Sequence, residues 1–230
     1  MHRPALLAVS HGTSDADGAR AIATLVERVA ESLPGVAVHS AFVDVQQPDA
    51  QTALDGIDGP VVIVPLLLSS GFHVHHDLHG IIAGRADAVV ADPLGPDALL
   101  AEVLAARLDG VGRPQAPVVL AVAGSRDERS VPDAEGMAAL LRERTGRRIE
   151  LTYLAARRPG LAAALESEPD AVVATYLLAR GYFFDLATRL SGEHPLTPPL
   201  LDDLLDTHGI PAALIRLVSA RFHAAASRLG

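Results

Sequence analysis

Two histidines stand directly behind apolar runs and beside glycines. LLAVSHG sets His11 between Ser10 and Gly12, and VVIVPLLLSSGFH sets His73 just past Ser70, Gly71 and Phe72. Imidazole is the side chain whose ordinary pKa lies closest to neutrality, so at such a position it can take up a proton or offer a nitrogen lone pair to a divalent ion. Asp44, in AFVDVQQP, holds the matching place behind another strand and adds a carboxylate. Two imidazoles and a carboxylate suit a borderline ion such as Co²⁺, Fe²⁺, Ni²⁺ or Zn²⁺. The segment FHVHHDLH contributes His75, His76 and His79, a candidate metal relay if His75 and His79 share a helical face, against the plainer reading of a solvated helix start. Ser10 is not a hydrolase nucleophile activated by His11, because neighbouring strand residues point to opposite faces.

Groups at these positions need strands to carry them. Apolar runs at 6–9, 61–68, 88–91, 118–123 and 171–178 read as buried strands, with helical patterns between them. In the first helix Ile22, Leu25, Val26, Val29 and Leu33 recur at three- and four-residue steps, with Asp15 or Asp17 to cap the start and Pro34-Gly35 to end it. Strand–helix alternation predicts a parallel sheet with helices on both faces, and ligands then bind beyond the carboxyl ends of the strands, where His11, Asp44 and His73 lie. At 230 residues and 49% hydrophobic content the chain buries a sizeable core, and with only 3% aromatic residues that core is aliphatic. The absence of cysteine excludes thiolate metal sites and disulfides. A net charge of −9 argues against nucleic acid. No apolar stretch approaches the ~20 residues that span a bilayer, so no membrane partner and a cytoplasmic location are expected. No phosphate-binding GxxxxGK[ST] loop is present, so no nucleotide is expected.

The chain also repeats itself. LAVSHGTSD (7–15) recurs as LAVAGSRD (120–127) at an offset of 112, FVDVQQPDAQTAL (42–54) as YLAARRPGLAAAL (153–165) at 111, and VVIVPLLLSSGF (61–72) as VVATYLLARGY (172–182) at 110. Three collinear matches predict two tandem α/β domains related by duplication, divided at the Gly/Pro-rich stretch 110–117: residues 1–112 and residues 113–230. His11, Asp44 and His73 are matched by Ala123, Ala155 and Phe183, so the chemistry is expected in the first half and a cleft wall in the second. Arg126, Arg129 and Arg180, at strand ends of the second half, are placed to meet an anionic ligand.

SHGT, FVDxQxP and PLLLSSGFHVHHDL resemble the class II chelatases of the sirohydrochlorin cobaltochelatase and ferrochelatase group, over nearly the whole chain. The resemblance implies two tandem flavodoxin-like, chelatase-type domains facing each other across a tetrapyrrole cleft. It also implies ATP-independent insertion of Co²⁺ or Fe²⁺, with Ni²⁺ open, into sirohydrochlorin for cobalamin or siroheme biosynthesis. By motif, His11 and His73 take the catalytic and metal-holding roles, and Asp44 stands where the family commonly has Glu. Ser10, Gly12, Ser70, Gly71 and Phe72 are the expected ring contacts. A monomer is expected, the two halves completing one cleft. A non-enzymatic metal or tetrapyrrole carrier, or a chelatase for another ring, are the competing readings.

Overall fold

The computed structural model describes residues 3–71, 78–202 and 210–229. The first stretch of chain forms β1 (Ala5–Ser10), α1 (Ala16–Ser32), β2 (Val38–Phe42), α2 (Ala50–Asp55), β3 (Val61–Pro65), α3 (His79–Ile81), β4 (Ala88–Val90) and α4 (Ala98–Val111). The second forms β5 (Val118–Val122), α5 (Ser130–Thr145), β6 (Ile149–Tyr153), α6 (Leu161–Ser167), β7 (Val172–Tyr176), α7 (Tyr182–Ser191) and α8 (Ala212–Ala226). The α/β class with parallel strands is as expected. Among the described residues there are two sheets, ordered β2-β1-β3-β4 and β6-β5-β7, all pairs parallel.

Strand register carries the repeat into three dimensions. Leu6 of β1 pairs with Val38 and Val62, and Val118 of β5 pairs with Ile149 and Val172. Those partners differ by the offsets 112, 111 and 110 read from the sequence, so both halves share one three-strand frame, to which β4 is added in the first. The loops repeat as well. Gly12 and Gly124 have φ of +91° and +86°, and Val45 and Ala156, both non-glycine, share φ of 63° in a region such residues rarely occupy. Both halves also place a cis X-Pro bond three residues beyond, at Gln47-Pro48 and Arg158-Pro159.

Each sheet has two covered faces, as a parallel sheet requires. The outer face of the first sheet, with Leu7, Val9 and Ile63, packs on Leu54 and Ile57 around α2, and that of the second, with Val119 and Val173, packs on Leu161, Leu165 and Phe184 of α6 and α7. The inner faces share one core through a layer of helices α1, α8, α4 and α5. Helix α1 enters it because Asp15 accepts the Gly18 N–H at 2.7 Å and Ala21, Leu25 and Val29 fall on one buried stripe. The order within this layer departs from the order of the repeats. Helix α4, which follows the first sheet in sequence, packs on β7 and α5 of the second, while α8, from the end of the chain, returns to β3, β4 and α1 of the first. The two halves exchange a helix.

Candidate functional site

The carboxyl ends of β1, β3, β5 and β7 open on one cavity of about 600 Å³ between the two sheets, within the size range of small-molecule sites. The apolar runs read as strands at 61–68 and 171–178 are longer than β3 and β7, and the surplus residues, Leu66 to Leu68 and Leu177 to Leu178, leave the sheet to become the cavity wall.

His11 lies in that wall, exposed, on the turn directly after β1. The turn closes on the Asp44 loop: the His11 carbonyl accepts the Asp44 N–H at 3.0 Å, and the side chain of Gln46 accepts the Thr13 N–H at 2.9 Å. Gly12 is demanded by this approach, since a Cβ there would sit 2.3 Å from the Asp44 carbonyl oxygen. Asp44 is thereby brought beside His11 in the backbone, yet it is Val45, 56% exposed, that lines the cavity. The Asp44 carboxylate accepts the Val45 N–H at 2.8 Å. It does not cap α2. That role falls to Asp49, which accepts from the Thr52 N–H at 2.9 Å and the Thr52 hydroxyl at 2.7 Å, and these two bonds lower its pKa.

Of the remaining expected residues, Gly71 lines the cavity with Ser69, and Ser70 between them gives its N–H to the Asp133 carboxylate at 2.6 Å. Ser10 borders the cavity with its side chain only 2% exposed. Phe72, His73, His75 and His76 lie outside the described residues. His79 is exposed at the start of the three-residue α3 and is not part of the cavity lining. Among the described residues no three His, Asp or Glu side chains gather into a metal-binding group.

The opposite wall is apolar. Tyr153, Tyr176, Tyr182, Phe183 and Phe184 all line the cavity, five of the chain's eight aromatic residues. Tyr182 is 72% exposed and meets Phe183 edge to face at 5.4 Å. Tyr176 is buried, which pushes its hydroxyl above the ordinary phenol range and keeps it a donor, to the Leu68 carbonyl at 3.0 Å. The arginines are less free than their positions suggest. Arg180 lines the cavity but pairs with the fully buried Asp202 at 2.7 Å and stacks over Phe184 at 5.0 Å, and Arg129 pairs with Asp127 at 2.8 Å. Arg126 is exposed and forms no ion pair among the described residues. The aromatic wall went unread in the sequence although its signal was present: YFF follows Gly181, which the repeat aligns with Gly71.

Residues 5–111 match the model of the CbiX family. The first half of the chain is thus similar to the CbiX family. The chain is 26% identical over 196 residues to the sirohydrochlorin ferrochelatase of Priestia megaterium, covering 77% of this chain and 74% of the relative. It is 25% identical over 120 residues to the sirohydrochlorin cobaltochelatase of Methanosarcina acetivorans, a match covering 45% of this chain and 92% of that protein. In fold it is similar to SirB from Bacillus subtilis solved with Fe³⁺, with a TM-score of 0.79 at 20% identity over 98% of this chain and 96% of that one. It is also similar to the CbiX described as the terminal enzyme for biosynthesis of siroheme in denitrifying bacteria, with a TM-score of 0.69 at 22% identity over 94% and 98% of the two chains. The matched stretch contains His11 and Asp44, and the cavity wall facing His11 is built by β5, β7 and α7.

Proposed function

We propose that this chain is an ATP-independent chelatase that inserts Co²⁺ or Fe²⁺ into sirohydrochlorin. The observation that carries the reading is the make-up of the cavity. One wall ends in an imidazole, and the facing wall carries aromatic and aliphatic groups in a space fit for the flat faces of a macrocycle. Residues 1–112 supply the chemistry and residues 113–230 the opposing wall, so a single chain completes the cleft without nucleic acid or membrane, and the reaction is placed in the cytoplasm. The macrocycle must lose two pyrrole N–H protons as the ion enters. His11, lining the cavity, offers its imidazole lone pair to the ion and, once the ion has passed to the ring, takes up one of the two released protons; His73, by motif, takes the other, and Asp44, in the loop hydrogen-bonded to the His11 turn, adds a carboxylate. Ser10, Gly12, Gly71 and Phe72 border the ring by the same reading, and His75, His76 and His79 hand over the ion.

The test mixes protein, sirohydrochlorin and Co²⁺ or Fe²⁺ and follows the visible absorption of the ring. Many equivalents are converted per chain, and His11→Ala or His73→Ala lowers kcat by about 10²–10⁴, the usual worth of a general base. A carrier would bind one equivalent and stop. Histidine variants that metallate as fast as the parent overturn the assignment.

A further inference from the structure

The second half has lost every group that does chemistry in the first, yet it supplies polar groups of its own at the places where the halves meet. Equivalent positions across the duplication show which are new. The contact of Thr13 with Gly181, where a Cβ would come to 2.6 Å from the Thr13 hydroxyl, has its counterpart in the looser contact of Ser125 with Gly71 at 3.6 Å. Those seams belong to the shared frame. Two others do not. Asp133 of α5 accepts the Ser70 N–H at 2.6 Å, and its equivalent in α1 is Ala21. Tyr176, ending β7, donates to the Leu68 carbonyl at 3.0 Å, and its equivalent beyond β3 is Leu66. Both polar groups therefore arise in the half that lacks counterparts of His11 and His73, and both hold the loop that follows β3 in the other half.

Resting on the chelatase reading above, we infer that Asp133 and Tyr176 are positioning residues that latch the loop after β3, residues 66–71, across the cleft, Ser70 standing three residues before His73 in the sequence. The bonds suit the task. A carboxylate accepting a backbone N–H is among the stronger hydrogen bonds a protein makes. The Tyr176 donor works from a buried, water-excluded site, where breaking the bond leaves an orphaned carbonyl. One latch grips an N–H and the other a carbonyl two residues earlier, so together they set the direction of the backbone as well as its place. The first-half loop after β1 is held differently, by the Thr13 hydroxyl donating to the Arg180 carbonyl at 3.3 Å and by contact of Gly18 with that same carbonyl. The duplicated half thus exchanged catalytic groups for groups that position the catalytic loop of its neighbour.

The experiment compares Asp133→Ala, Asp133→Asn and Tyr176→Phe in the full chain. Asparagine keeps an acceptor for the Ser70 N–H and alanine does not. Asp133→Ala lowers kcat for Co²⁺ insertion by roughly tenfold to a hundredfold, the cost of a displacement of about 1 Å at a reacting group. It leaves KM for the ring within about threefold, because the aromatic wall is untouched. Asp133→Asn restores most of kcat, and Tyr176→Phe, which keeps the ring that fills the core, also lowers kcat. The double variant loses less than the product of the single losses, since both act on one loop. Hydrogen exchange at the Ser70 amide accelerates in Asp133→Ala and returns toward the parent value in Asp133→Asn. Parent-like kcat in folded Asp133→Ala, or an Asp133→Asn protein as slow as Asp133→Ala, overturns the inference. A parent chain that does not metallate at all overturns the chelatase reading instead, and the Ser70 exchange rates still decide whether the latch exists.

Discussion

Ser10 ends β1 with a hydroxyl that is buried and has no hydrogen-bond partner. Strand alternation sets it on the same side as Leu6 and Ala8, among apolar neighbours in the inner core. An unsatisfied buried hydroxyl is a penalty of about 1–3 kcal/mol in the folded state, and alanine removes it while leaving a space smaller than a methyl group. Ser10→Ala is expected to raise Tm by roughly 2–12 °C for a chain of this size in a thermal melt followed by circular dichroism. A fall in Tm would show that the hydroxyl has a bonded role. The two ends of the residue scale were not equally legible. His11 announced itself because residue type, an adjacent glycine and the preceding apolar run all constrain the same place. Asp133 and Tyr176 left no such trace, because a bond to the backbone of an ordinary serine or leucine, 63 or 108 residues away, imposes no pattern on the sequence.

At the scale of elements, α1 shows two effects with opposite signs. Gly18 sits in its first turn with an ordinary helical role, so replacement by alanine would favour the helix by about 1 kcal/mol. A Cβ there would lie 2.2 Å from the backbone oxygen of Arg180, which no side-chain rotation can relieve. Overpacking of this kind costs about 1–3 kcal/mol. The clash wins, and Gly18→Ala is expected to lower Tm and widen the cleft, measured as a raised KM for the ring; an unchanged or higher Tm would mean that the seam between α1 and the β7–α7 turn gives way freely. The central strands were readable because burial on both faces writes a continuous apolar run. The edge strand β2 was visible only from the motif that follows it, since His39 and Ser40 are exposed and an edge needs no such run. The ends of β3 and β7 were overread for a physical reason: leucines that line an apolar cavity look like leucines that continue a strand.

Across the whole molecule, the helix exchange decides what can be separated. Helix α8 buries Leu214, Leu217, Val218 and Phe222 against the first sheet and its helices. Such side chains contribute about 1.5–3 kcal/mol each when fully buried, and their sum rivals the entire margin of about 5–15 kcal/mol by which a protein stays folded. A chain ending at residue 210 is therefore expected to lose its cooperative thermal transition, although every residue of the cavity lining would still be present. A sharp melt in that truncated chain would show that the first sheet stands without its returning helix. None of this exchange is written in the repeat, which matches segments along the chain but says nothing about which sheet a helix covers.

The unequal walls of the cavity carry one more consequence. Two identical units meeting about an axis must present the same side chain from both sides, so a planar guest between them meets equivalent chemistry above and below. A fused pair is released from that rule, and here His11 is answered by Ala123, and the latches at Asp133 and Tyr176 by Ala21 and Leu66. Under the proposed chelatase reading, a ring seated in this cavity meets an imidazole on one side and aromatic and aliphatic groups on the other, so its side arms meet surroundings that no half-turn can interchange.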